Sequence, residues 1–217
     1  MAGFKTVSLA DQVFEKLEND IIMGVYPRGE ILTELRLVEQ LGVSRTPIRE
    51  ALRRLEQERL IAETGKGSEV LGITLEDLID IMEIRQRIEG IAVAYATEHA
   101  TDEGIEQLRR ISELQDFYYE KMDTERMREM DDQFHDALFQ MSGSAVFCDT
   151  LRPLHKKTQR YRKLSIGDKD RLAVSNNQHK AIFNAVAQRN AQEACRLMTE
   201  HIESAKQSMI RRFGEDG

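Results

Sequence analysis

Residues 41–52, LGVSRTPIREAL, leave this chain few ways to fold, because they write a helix end, a tight turn and a new helix into one short stretch. Ahead of them Leu37, Val38 and Leu41 form an apolar stripe at helical spacing, and Gly42 supplies the permissive backbone on which a helix stops. Ser44 stands as the cap of the next helix. Pro47 falls in that helix's first turn, where its missing N–H costs no intrahelical bond. Ile48, Ala51, Leu52 and Leu55 then follow at helical spacing, while Arg45, Thr46, Arg49 and Arg53 are centred roughly 120° away at about 100° per residue. One face packs and another presents guanidinium groups.

Arginine both grips phosphate and pairs bidentately with guanine in the major groove, so such a row on a short exposed helix suits a helix-turn-helix that reads double-stranded DNA. A solvated amphipathic helix also carries arginines; the turn, the cap and the Arg-Thr placement together favour the DNA-reading form. Downstream, Leu60, Ile61 and Ala62 open an extended run that passes Gly65, Lys66 and Gly67 before Val70 and Leu71, the pattern of a hairpin with a glycine tip. A hairpin in that place is a wing, and Lys66 at its tip is placed to meet phosphate or the minor groove. Upstream, Leu9, Val13, Leu17 and Ile21 recur every four residues and predict a third helix that closes the small core.

Overall charge points the other way, at −7 for 217 residues, but binding depends on how charge is distributed. Between 44 and 66 the cations Arg45, Arg49, Arg53, Arg54, Arg59 and Lys66 outnumber Glu50, Glu56, Glu58 and Glu63 by only two. A patch that weak neutralises few phosphates, so operator binding should need two subunits. No apolar run reaches membrane-spanning length and no secretory pattern opens the sequence, so a cytoplasmic protein with no membrane partner is expected. Cys148 and Cys195, far apart and outside any CxxC, read as reduced thiols.

From about residue 73 the pattern turns to long helical periods marked off by Thr74, Thr101, Gly143, Gly167 and Asn190. The division predicts a winged helix-turn-helix over 1–73 and, over 74–217, an antiparallel bundle of about six helices near 75–98, 102–120, 124–141, 145–163, 170–188 and 191–212, with a kink at Pro153 in the fourth. The fold class is mainly α. Such a bundle is by default a dimerisation scaffold, but its histidines ask for more. Asp131 and His135 are one turn apart on a single helix face, and His179 and His201 lie on the last two helices beside Ile182 and Ile202. One carboxylate and three imidazoles converging in a bundle make a site for a divalent metal of borderline character, zinc first, with nickel, iron or manganese as alternatives. His99 reads as an ordinary partly buried side chain and His155, next to Lys156 and Lys157, as surface. Arg160 and Arg162 are not distinguishable from exposed charge.

The segment 41–52 with its wing resembles the winged helix-turn-helix of the GntR family of bacterial regulators. By that resemblance Arg45 and Arg49 make the principal base and phosphate contacts, Ser44 and Thr46 touch phosphate, and Lys66-Gly67 enters the minor groove. Where many relatives carry an arginine early in the second helix this chain has Leu35, followed by Arg36, the candidate for that contact. Residues 73–212 resemble the helical effector (FCD) domain of the family's FadR-like branch, whose Asp-x-x-Phe-His signature and two later histidines appear as Asp131, Phe134, His135, His179 and His201. Six helices rather than seven place it nearer the VanR-like subgroup. The resemblance implies a metal on Asp131, His135, His179 and His201 and a small organic acid completing its coordination. Arg85, in the stretch EIRQRIE, is the candidate for the acid's carboxylate, or else pairs with a neighbouring glutamate. The function expected is a homodimeric, ligand-responsive transcription regulator, a repressor on a short palindrome, and not an enzyme. A metal-dependent enzyme or a purely structural metal bundle are the alternatives.

Overall fold

In the computed structural model, which describes residues 7–165 and 169–215, the chain divides into two compact units, one ending at Thr74 and the other beginning at Leu75. Helix α1 (Leu9–Ile22) starts on a reciprocal cap in which Ser8 Oγ accepts from the Asp11 N–H and the Asp11 carboxylate accepts from the Ser8 N–H. Its Val13, Leu17 and Ile21 are buried as their spacing requires, whereas Leu9, at the first position, is half exposed and Ala10 takes the inward place. Helices α2 (Glu34–Leu41) and α3 (Arg45–Gln57) flank the turn, with Gly42 left-handed at φ +65° as the stop signal demands. Ser44 sits at the cap position of α3 in extended backbone, but its side chain makes no capping hydrogen bond, which corrects the role read from sequence.

The hairpin is present as β2 (Ile61–Thr64) and β3 (Gly67–Val70), turning at Gly65-Lys66. A strand that the sequence reading did not resolve, β1 (Ile31–Leu32), pairs antiparallel with β3 and gives the sheet order β1-β3-β2. Gly67 is required there. A Cβ on it would stand 2.7 Å from the Leu32 carbonyl oxygen, and its φ of +134° is one that side-chain-bearing residues rarely adopt. Leu17, Leu37, Ile48, Leu55, Leu60 and Val70 meet in one core.

The second unit is helical among the described residues. It runs α4 (Leu75–Glu98), α5 (Asp102–Lys121), α6 (Thr124–Met141), α7 (Ala145–Lys157), α8 (Gln159–Ser165), α9 (Lys169–Ala187) and α10 (Ala191–Glu215). The helix start expected at Thr101 is capped by its side chain, which accepts from the Gly104 N–H, and Asp123 and Ser144, not read from the sequence, cap α6 and α7 in the same way. The segment read as one fourth helix is two. α7 runs past Pro153 to Lys157, and the interruption falls at Thr158, whose hydroxyl donates to the His155 carbonyl at 2.7 Å and whose N–H bonds the same carbonyl. A side chain that competes for its own helix's carbonyl ends the regular ladder. Among the described residues seven helices therefore stand where six were expected, which removes the helix-count basis for the VanR-like placement; Gly167, read as a boundary, lies outside those residues. Long α4 and α10 lie along each other, and Gly90 lets them approach: a Cβ there would meet Thr199 Oγ1 at 2.6 Å and the Cys195 carbonyl at 3.1 Å.

Candidate metal centre and nucleic-acid interface

On the first unit, Arg45, Thr46, Arg49 and Arg53 are all exposed while Ile48, Ala51, Leu52 and Leu55 are buried, so α3 separates its two faces as the spacing required. Lys66 is exposed at the wing tip beside Gly67. Two of the cations rest on carboxylates of the same unit: Arg49 Nε donates to Glu34 at 2.7 Å and Arg36 to Glu30 at 2.6 Å. Leu35 is 57% exposed, so the position where relatives place an arginine faces solvent and Arg36 beside it turns toward Glu30 and the Tyr26 ring. A phosphate meeting Arg36 or Arg49 takes them from these exposed pairs at little cost, since surface ion pairs contribute about 0–1 kcal/mol.

In the second unit the four predicted ligands come together from three helices. Asp131 and His135 project from α6, His179 from α9 and His201 from α10, with one donor atom of each inside a common 4.8 Å. His179 Nε2 lies 3.2 Å from His201 Nε2 and 3.6 Å from an Asp131 oxygen. For ligand distances of about 2.0–2.1 Å the edges of a tetrahedron are roughly 3.3 Å, so these separations fit one shared cation.

The outer face of each ring fixes which nitrogen looks inward. His135 Nδ1 is 2.9 Å from a Glu89 carboxylate, which only accepts, so Nδ1 carries the proton and Nε2 keeps its lone pair. His201 Nδ1 donates likewise to Gln178 Oε1 at 3.1 Å. His179 Nδ1 faces the amide of Gln115 at 2.9 Å, and Gln115 Oε1 is buried with no hydrogen-bond partner. Turning that amide end for end lets Oε1 accept from Nδ1, and all three imidazoles then aim Nε2 lone pairs at one point. Facing lone pairs at 3.2 Å repel unless a cation lies between them, so this donor set fits a divalent metal.

Electrostatics agree. Burial disfavours the imidazolium of His179 and lowers its pKa to about 3, and it lowers His201 well below the usual range. Burial pushes the Asp131 carboxyl up, but Arg162 and the surrounding imidazoles outweigh it and hold the group well below the carboxylate range. Neutral His179 and His201 and an ionised Asp131 are the protonation states that bind metal.

His155 is not the surface residue its lysine neighbours suggested. It is 7% exposed, because α7 turns it inward while Lys156 and Lys157 stay at the rim. Its Nδ1 accepts from Arg85, a donor-only group, so Nε2 carries the proton and donates to Asp132 at 2.8 Å. Both nitrogens are occupied, which separates it from the three inward rings. Arg85 is fully buried and its fork is engaged: Nε on Glu89 at 2.5 Å, with His155 and Thr158 taking the other nitrogens. It lines the cavity, yet the neighbouring-glutamate pairing is the one present. Arg162 separates from exposed Arg160 by bridging Asp131 and Asp132. Sequence reasoning missed Glu89, Asp132, Gln115, Gln178 and the role of Arg162. Only Glu89 had a signal, standing one helical turn after Arg85 on the same face.

Asp131, the four histidines His135, His155, His179 and His201, Arg85, Gln115 and Arg162 wall a cavity of about 70 Å³, joined by Arg128, Arg171, Met127, Leu172, Ile202 and Met209. No helix among the described residues is long and apolar enough to cross a membrane, and Cys148 and Cys195 are both free.

Comparison with known proteins gives two family matches, "Bacterial regulatory proteins, gntR family" over residues 9–70 and "FCD domain" over residues 80–204. The chain is 28% identical over 205 residues to the HTH-type transcriptional repressor RspR of Escherichia coli strain K12, covering 94% of this chain and 90% of that protein. It is 32% identical over 176 residues to the Nta operon transcriptional regulator of Aminobacter aminovorans, covering 81% and 82%. Its fold is that of E. coli McbR/YncC, with a TM-score of 0.81 at 23% identity over 96% of this chain and 100% of that one. The matching families and relatives are transcription regulators rather than enzymes. With one match on the winged unit and the other on the helical bundle, the chain belongs to the GntR family of transcription regulators and carries an FCD domain.

Proposed function

We propose that this regulator is a homodimeric repressor whose hold on a short palindromic operator is set by a small organic acid bound at a divalent metal in the helical unit. The observation that carries the reading is the convergence of three imidazoles and one Asp131 oxygen, with Glu89, Gln115 or Gln178 behind each ring. Three imidazoles and one carboxylate suit zinc, with nickel, iron and manganese as alternatives, and a carboxylate oxygen of the acid joins them by expanding the metal to five or six ligands. A purely structural site would be closed, whereas this one opens on a cavity lined by several arginines. The similarity to RspR, a transcriptional repressor, supports repression.

Operator contact falls to Arg45 and Arg49 at base edges and phosphate, Ser44, Thr46 and Arg36 on phosphate, and Lys66-Gly67 at the minor groove. The exposure of α3's polar face and of the wing tip supports this assignment. Dimerisation is supported by an apolar stripe on the outer face of α4, where Ile84, Ile91 and Tyr95 are 42–48% exposed at helical spacing and Val146 on α7 is 73% exposed. The regulator acts in the cytoplasm, where the operator is. Coupling of about 1–3 kcal/mol between acid and operator changes DNA affinity roughly 5- to 150-fold.

Thermal denaturation against a panel of small organic acids, with divalent metal and again after chelation, tests the reading. Stabilisation by an acid only when metal is present is expected. Stabilisation by metal alone, with no acid adding to it, would reduce the site to a structural one.

A further inference from the structure

Arg45 and Arg49 stand one turn apart on the exposed face of α3, but only Arg49 is tethered. Its Nε donates to Glu34 Oε1 at 2.7 Å, whereas Arg45 has no hydrogen-bonded carboxylate among the described residues. Glu34 opens α2, where the helix dipole favours an acid, and the Thr33 side chain caps that helix by accepting from the Arg36 N–H. The carboxylate is therefore carried on a fixed turn. On a surface that meets phosphate it is a liability, since it repels each backbone oxygen that approaches. Glu56 and Glu63 line the groove between α3 and the hairpin together with Glu34 and Arg49, so a phosphate entering there meets carboxylates as well as guanidinium. Releasing Arg49 from Glu34 costs little by itself, but the displaced carboxylate stays beside the phosphate. A guanine edge carries no such penalty, because O6 and N7 are neutral acceptors. Holding Nε on Glu34 also leaves the donors of both terminal nitrogens, the pair that meets O6 and N7 side by side.

We infer that Glu34 is a positioning residue for operator recognition: it holds Arg49 by Nε so that the end of the guanidinium reads a guanine, and its charge turns phosphate away from Arg49. This rests on the proposed DNA-reading role of α3 and deepens it, by giving Arg49 to a base edge and leaving backbone contact to Arg45 and the wing. Pinning a long side chain before DNA arrives removes part of the ordering cost of the contact. The carboxylate thus trades affinity for any duplex against discrimination between duplexes.

Fluorescence anisotropy separates the two roles. The full-length parent, Glu34→Gln, Glu34→Ala and Arg49→Ala are titrated with an operator selected from random duplexes, with its single base-pair substitutions and with an unrelated duplex, at several salt concentrations. In the parent one G·C pair should matter about tenfold or more, and it should lose that weight in Arg49→Ala. Glu34→Ala should lower discrimination at the same pair by about threefold or more. It should also bind the unrelated duplex more tightly, with the slope of log K against log salt steepening by about one for each subunit bound. Glu34→Gln keeps an acceptor for Nε and removes the charge, so it should tighten the unrelated duplex in the same way while retaining more of the base discrimination. Discrimination and salt slope unchanged in both Glu34 variants, or a uniform loss of affinity for every duplex together with a lower melting temperature, overturns the inference and leaves α3 as the reading helix. If Arg49→Ala leaves every base preference as it was, the assignment of Arg49 to the operator itself fails and this inference with it.

Discussion

Replacing Glu89 by Gln keeps the side chain's shape and removes one buried charge. Glu89 is fully enclosed, with one oxygen on Arg85 Nε at 2.5 Å and the other on His135 Nδ1 at 2.9 Å. Burial raises its pKa, but the Arg85 charge and His135 outweigh it and bring the group from 4.5 down to about 2. That displacement corresponds to about 3 kcal/mol at neutral pH. Removing one partner of a buried pair costs about 3–5 kcal/mol by a separate line of evidence, because the other charge is left uncompensated. The two figures agree. For a unit of this size, about 3–5 kcal/mol amounts to a fall in Tm of roughly 6–20 °C. The variant also loses the anion behind His135, which makes that ring a poorer ligand and should weaken metal binding about 10- to 100-fold. Melting by circular dichroism with chelator present reads the first effect, and competition against a chromophoric chelator reads the second. A loss of stability below about 1 kcal/mol, together with unchanged metal affinity, would refute the argument that Glu89 holds Arg85 and His135 together.

Acid should destabilise the helical unit in two stages. An unfolded His179 takes up a proton below its ordinary 6.5 while the folded ring stays neutral until about 3, so stability present above pH 6.5 is lost as pH falls through that window. Glu89 adds a further loss between 4.5 and about 2; a denaturation midpoint flat from pH 7 to pH 4 would contradict the first stage, and one flat from pH 4 to pH 2 the second. Changing Arg45 and Arg49 together to Ala should abolish specific binding to an operator selected in vitro while the fold and the oligomeric state persist; full retention in a mobility-shift assay would remove α3 as the reading helix. Ile91→Asp should shift the chain from dimer toward monomer in sedimentation, and an unchanged dimer would place the subunit interface away from the outer face of α4.

How far the sequence carried differs by scale. The winged unit was legible because each of its signals is local: Gly42 for a left-handed stop, Pro47 in a first turn, a glycine pair about Lys66. Strand β1 escaped because two residues carry no periodicity, and its identity comes from pairing with β3. The clustering of four side chains was legible because Asp131 and His135 share a helix face and because the family resemblance joins them to His179 and His201. What lay behind the rings was not. His155 was misjudged from its lysine neighbours, since a helix can bury one position and expose the next. Arg162 and Gln115 act on residues more than 30 and 60 positions away, and contacts at that range leave no spacing to read. The break at Thr158 depends on a hydroxyl turning to a carbonyl of its own helix, a choice made in the packed structure.

Metal stoichiometry tests the central claim most directly. Full-length protein stripped of metal and titrated with zinc, and separately with manganese, against a competing chelator should bind one divalent cation per chain. His179→Ala should lose that binding while keeping its helical circular dichroism. No tight binding by the parent chain, or equal binding by the variant, would contradict the account of Asp131, His135, His179 and His201 as one metal centre.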